Sequence, residues 1–198
     1  MKRFRGSAFF LGLVLAAASA FAQTAATPAA SPAPTAGFRA EFLNELAGVE
    51  KRFVGLAEAM PADKYTWRPA EGVRSVSEVY MHVAAANYNI PRLLGTPPPA
   101  GFNARGFDTS VTDKAKVIET LKQSLAHLRQ AVLNMSEADG EKKLKWFGAE
   151  NTYRGVLLFI IRHMAEHLGQ SIAYARINGV VPPWTEEQQR QQQQKPKP

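Results

Sequence analysis

The sequence predicts an all-α fold, most simply a four-helix bundle with a long crossover connection between helices two and three. Three observations predict it. Apolar residues recur every three or four positions over most of the chain, strand-type alternation is nowhere sustained, and Pro- and Gly-bearing breaks divide the pattern into four runs.

The first run places Phe38, Phe42, Leu46, Val49, Phe53, Leu56 and Met60 on one helical face, and Pro61 stops it. A loop bearing Trp, Pro and Gly follows from Ala62 to Arg74. Ser75 with Glu78 three positions on is a capping box, opening a second helix that is expected to reach Leu94, before Gly95. Its apolar stripe is Val79, Val83, Ala86, Ile90 and Leu93. Three consecutive prolines then make Gly95 to Thr112 a loop, long for neighbouring antiparallel helices but suited to a crossover along a bundle. A third helix begins near Thr112 or Asp113, turns Val117, Leu121, Leu125, Leu128 and Val132 inward, and ends near Asn134. After a polar connection holding Trp146 and Gly148, the fourth helix runs from Asn151 or Thr152 to Asn178. Gly179 is its natural C-cap, and Pro182-Pro183 forbids continuation.

The ends read differently. Lys2, Arg3 and Arg5 precede an apolar stretch, Ala8 to Ala18, and a small-x-small site at Ala20-Phe21-Ala22, so residues 1–22 read as a signal peptide cleaved before Gln23. The mature chain is then exported, periplasmic or secreted. An uncleaved anchor is the alternative, but the apolar stretch is short for a span of ~20 residues. Residues 23–37, rich in Ala, Pro, Thr and Ser, read as a flexible linker, 38–185 as the bundle, and 186–198 as a disordered Gln/Lys/Pro tail.

Composition narrows the function classes. The 198 residues contain no cysteine, which excludes a disulfide scaffold, a thiolate nucleophile and sulfur-based metal sites. The formal charge of +7 falls to +3 over Phe38 to Thr185, with both signs interspersed and no aromatic-basic interleaving. That is an ordinary surface and carries no footprint for nucleic acid.

The informative positions are polar residues at inward registers. The fourth-helix stripe is Val156, Ile160, His163, His167, Gln170, Tyr174 and Ile177, and His82 falls on the inward side of helix two. His127 flanks Ser124, Gln123 and Gln130 and reads as outward. His163 and His167 project from one side of a helix a turn apart, so a third imidazole from a facing helix completes a three-nitrogen cap on a divalent transition metal such as Zn, Ni or Fe, leaving a coordination position open. The competing reading is that the three rings are core histidines with hydrogen-bond partners.

No general base follows from spacing. Met164 stands where a zinc protease needs Glu, and Glu166 reads as a surface carboxylate. Gln170 reads either as a partner of a ligand histidine or as a polar residue at the bundle end. Ser75, Ser77 and Ser124 form no triad, and Asp63, Asp108 and Asp113 sit where turns and N-caps favour Asp. Trp67 and Trp146 read as lids over the bundle ends or as walls beside an ion. Arg68 and Arg74 read as capping or surface-pairing residues, or as groups that meet an anionic substrate.

Several of these residues carry a resemblance. Tyr65-Thr66-Trp67-Arg68-Pro69, Gly72-Val73-Arg74-Ser75-Val76 leading to His82, and His163-Met164-Ala165-Glu166-His167-Leu168-Gly169-Gln170 resemble the DinB-like superfamily of bacterial metalloproteins. So do Tyr174-Ala175-Arg176 and Asn178-Gly179-Val180-Val181-Pro182-Pro183. The resemblance spans Phe38 to Trp184. It implies up-down-down-up helix order, a divalent metal held by His82, His163 and His167, and homodimers in many members. It also implies, for characterised branches, transferases and isomerases that use low-molecular-weight thiols such as bacillithiol or mycothiol. The export signal departs from a cytosolic thiol cosubstrate. The resulting expectation is an exported metal-dependent hydrolase or thiol transferase acting on a small molecule, with a non-catalytic metal or small-ligand binding module as the alternative.

Overall fold

The computed structural model describes residues 33–194, in which helices dominate: α1 (Gly37–Ala59), α2 (Val76–Asn89), α3 (Lys114–Leu133), α4 (Tyr153–Ile177) and α5 (Pro183–Gln194). Among the described residues no helix is long and apolar enough to cross a membrane. The signal-peptide reading and most of the linker lie outside these residues.

Local chemistry sets the ends. At α2 both halves of the capping box form: Glu78 N donates to Ser75 Oγ (3.3 Å), and Ser75 N donates to Glu78 Oε2 (2.8 Å). Helix two was expected to reach Leu94, but the α-helix ends at Asn89 and tightens into a 3-10 turn over Ile90–Leu94. Pro91 is the reason: without an N–H it cannot continue the helical ladder. Asp113 caps α3 by accepting from Lys116 N (3.0 Å), and Thr152 caps α4 by accepting from Gly155 N (3.1 Å). The exposed carbonyls at two C-termini meet cations from other helices. Lys114 Nζ donates to Glu58 O and Met60 O at the end of α1, and Arg39 donates to Val132 O and Leu133 O at the end of α3.

Both α1 and α2 pack against α3 and α4, and the most extensive of these contacts joins α2 to α3 across the long connection between them. The core includes Phe42, Leu46, Phe53 and Leu56 of α1, Val79 and Val83 of α2, Leu121, Leu125 and Leu128 of α3, and Val156, Leu157, Ile160 and Met164 of α4. Two sequence readings are corrected here. The connection before α4 is not merely polar loop but an antiparallel hairpin, β1 (Lys143–Trp146) with β2 (Ala149–Thr152), in the register Trp146↔Ala149 to Lys143↔Thr152. Residues 186–194, expected to be disordered tail, continue α5 from Pro183, because Gln, Glu and Arg favour helix and Pro suits the first helical position. Near its start α5 meets α1, where the Arg52 guanidinium lies over the Trp184 ring.

Candidate metal centre

Val156, Ile160 and Tyr174 of the predicted α4 stripe are buried, but between and beyond them the core follows neighbouring positions. Met164, Leu168, Ser171 and Ala175 are buried, whereas His163, His167 and Gln170 lie on the flank of that stripe, half-buried at the margin of the core. Ile177, expected inside, is 65% exposed. Both patterns have helical spacing, so periodicity alone does not choose between neighbouring stripes. The consequence is chemical. His82 and His163 face a cavity rather than solid hydrocarbon, and a metal site needs that access.

The structure brings the three rings together. One nitrogen from each of His82, His163 and His167 lies within 4.8 Å of the others, and the rings pair at centroid distances of 4.6–5.1 Å. His82 Nε2 and His163 Nε2 stand 3.1 Å apart. Two lone pairs facing at that distance repel, so the contact requires a shared proton or a cation. Tetrahedral ligation at ~2.0–2.1 Å separates neighbouring nitrogens by roughly 3.3 Å. The spacing between His82 and His163 is close to that value.

Surrounding hydrogen bonds fix two of the tautomers. His82 Nδ1 donates to Asp108 Oδ2 (3.0 Å), which leaves Nε2 as a lone pair toward the centre. Arg74 holds the same carboxylate oxygen through Nε (3.3 Å) and Nη2 (3.2 Å). His167 Nδ1 donates to Gln170 Oε1 (2.9 Å), Gln170 Nε2 donates to Tyr174 Oη (2.9 Å), and Tyr174 Oη donates to Arg74 O (3.0 Å). That relay runs in one direction and sets His167 Nε2 free. Trp67 packs edge-on to Tyr174 at 5.4 Å and steadies the relay from outside. His163 has no such partner; its Nδ1 is buried without a hydrogen bond among the described residues.

Charge follows from this environment. Burial first, then the neighbouring His167, His82 and Arg74, push the His163 pKa down to about 4. Burial and Arg74 lower that of His82 against the opposing pull of Asp108. His82 and His163 are therefore held toward the unprotonated form that a metal requires.

Other candidates divide as follows. Glu166 is exposed and pairs with Arg162 at 3.1 Å, a surface residue. Trp146 stands beside His82 and His163 in one cavity rather than capping a bundle end, while Arg68 pairs with Glu78 at 2.8 Å. Sequence reasoning missed Asp108, assigned to a turn; its position in an unusually long connection was the available signal. His127 is corrected from outward to half-buried. It packs 5.5 Å from Tyr88, its Nε2 is buried and unpartnered, and burial lowers its pKa.

Residues 45–171 match the DinB superfamily, a segment containing all three clustered histidines and Asp108. The fold is similar to that of a DinB-like protein from Bacillus subtilis, with a TM-score of 0.55 and 21% identity, covering 71% of this chain and 93% of that one. Curated proteins give no match. The matched segment exceeds half of the chain, and the chain belongs to the DinB superfamily.

Proposed function

From membership of the DinB superfamily, we propose that this protein binds a divalent transition metal through His82, His163 and His167 and uses it as a metal-dependent enzyme on a small molecule. One observation carries the reading: three imidazole nitrogens within 4.8 Å of one another, with His82 and His163 lining a cavity. An all-nitrogen donor set suits Zn, Ni or Fe. Three protein ligands without a fourth leave the ion open to substrate, in the manner of catalytic sites. When bound, the ion supplies Lewis-acid polarisation of a substrate atom or activation of a water or thiol.

The chain's own residues prepare that centre. Asp108 holds the His82 proton on Nδ1, and Gln170 does the same for His167, so the opposite nitrogens point inward before any ion arrives. Arg74 neutralises Asp108 and fixes its direction. Hydrolysis and thiol transfer are both compatible; export favours hydrolysis, because water needs no cytosolic supply.

Elemental analysis of the purified mature chain tests the reading. The expected result is stoichiometric transition metal, lost in the His82→Ala/His163→Ala/His167→Ala protein. A chain that carries no metal and takes none up on titration overturns it.

A second reading, a non-catalytic metal or small-ligand module, is favoured by the carboxylates. Asp108 is engaged by His82 and Arg74, and Glu166 by Arg162, so neither stands free as a general base. Metal binding without turnover of an ester, amide and thiol-transfer panel selects it. Export and homodimerisation belong to the same proposal. A mature N-terminus at Gln23 and a two-chain mass in solution are their expected signatures.

A further inference from the structure

The β1–β2 hairpin breaks a local rule. Its two-residue turn, Phe147-Gly148, has both residues in the left-handed region, at φ 50° and 77°. This geometry matches the twist of the flanking strands and selects Gly, Asn or Asp at both positions. Gly148 conforms. Phe147 places a Cβ and a ring on strained backbone, and that ring is 81% exposed. Neither turn chemistry nor burial accounts for it.

Its surroundings do. Phe147 stacks on Trp146 at 4.7 Å, Trp146 meets Phe159 edge-on at 4.6 Å, and Phe159 lies nearly parallel to the His163 ring at 6.0 Å. An aromatic wall therefore runs from the hairpin tip to the histidine centre. It borders a cavity of about 520 Å³, within the usual range for small-molecule sites, that also takes in Arg74, Arg92 and His82. Arg74 is committed to Asp108. Arg92 bonds only to the neutral Asn89 side chain (3.0 Å) and has no carboxylate within 4.0 Å among the described residues.

We propose that this cavity takes a small organic anion with a flat apolar body, the body lying against Phe147 and Trp146 and the anionic group on Arg92. The inference rests on the reading of the histidine centre as the reacting end. It assigns the hairpin as the substrate-reading arm. The rings already touch one another, at 4.6–6.1 Å between centroids, so they offer a single stacking surface rather than a cage around a cation.

Titration of the full mature chain with 2-naphthoate, monitored by fluorescence in metal-free and zinc-loaded protein, tests it. Wild type is expected to bind saturably in both states and to bind neutral 2-naphthalenemethanol about tenfold more weakly. Phe147→Asn keeps the turn and relieves its strain. It is expected to bind both probes up to ~10-fold more weakly while melting at the same or a higher temperature. Arg92→Gln is expected to weaken naphthoate alone. Absence of saturable binding overturns the proposal, as does a Phe147→Asn protein that binds normally. Dissociation of a dimer by Phe147→Asn with binding intact also overturns it and assigns the tip to a contact between copies. Metal content is read in parallel. A chain without metal overturns the reading of the centre, whereas apo-protein binding indifferent to both substitutions overturns the substrate-reading arm by itself.

Discussion

Two regions of this helical fold hold histidine in opposite circumstances. At the α2–α4 edge, His82, His163 and His167 converge, and two of the rings are oriented by Asp108 and Gln170. On α3, His127 lies alone beside Tyr88 with Nε2 buried and unpartnered. Burial lowers the pKa of His82, His163 and His127, so neutrality alone does not distinguish the regions. The difference is convergence: three rings meet at the first region, two of them with the proton fixed on the far nitrogen by a neighbour, whereas His127 has no second imidazole to meet.

Substitutions sharpen this contrast. The largest effect is expected from His163→Ala, whose ring faces both other imidazoles: metal content by elemental analysis should fall to background, while His127→Ala retains the wild-type value. Equal loss in both proteins would erase the distinction. Next come the orienting residues. Asp108→Asn and Gln170→Leu should each weaken zinc affinity, measured by chelator competition, by roughly 10–100-fold with the fold intact by circular dichroism. Unchanged affinity would show that the rings need no external orientation.

A smaller effect is expected from pH on the metal-free protein. His163 titrates near 4 when folded against 6.5 in the unfolded chain, so below 6.5 the unfolded state binds the additional proton. The stability associated with the neutral ring is present above pH 6.5 and is lost as pH falls toward 4. His163→Phe should flatten part of that slope in denaturant titrations, and a slope identical to wild type would contradict the assignment. The smallest change is expected at His127→Leu, which removes an unpartnered buried nitrogen. Stability should stay within about 1 kcal/mol of wild type, in the stabilising direction. A loss of several kcal/mol would mean that His127 has a structural partner.

Much of the fold was legible because its signals are local. The Ser75–Glu78 box, the Asp113 and Thr152 caps and the left-handed Gly179 each act within a turn or two of chain, and each is found where the residue types place it. Pro91 is an equally visible breaker, and it ends the α-helix before the apolar stripe that continues to Leu93. The hairpin is not legible because four-residue strands carry too little alternation to register, and because Phe147 stands where a two-residue turn normally has Gly, Asn or Asp. The tail differs for the opposite reason: its polar, Gln-rich composition predicts disorder, although the same residue types favour helix.

The sequence by itself determined the helix limits set by caps and breakers, and which residue types could serve as ligands. Those are properties of hydrogen bonds and steric contacts within a few residues. Only the tertiary structure decided which of two neighbouring stripes on α4 entered the core, that His163 meets His82 from 81 residues away, and that Asp108 comes out of the crossover to hold His82 in place. Adjacent helical stripes share the same spacing, and packing against the other helices breaks that tie.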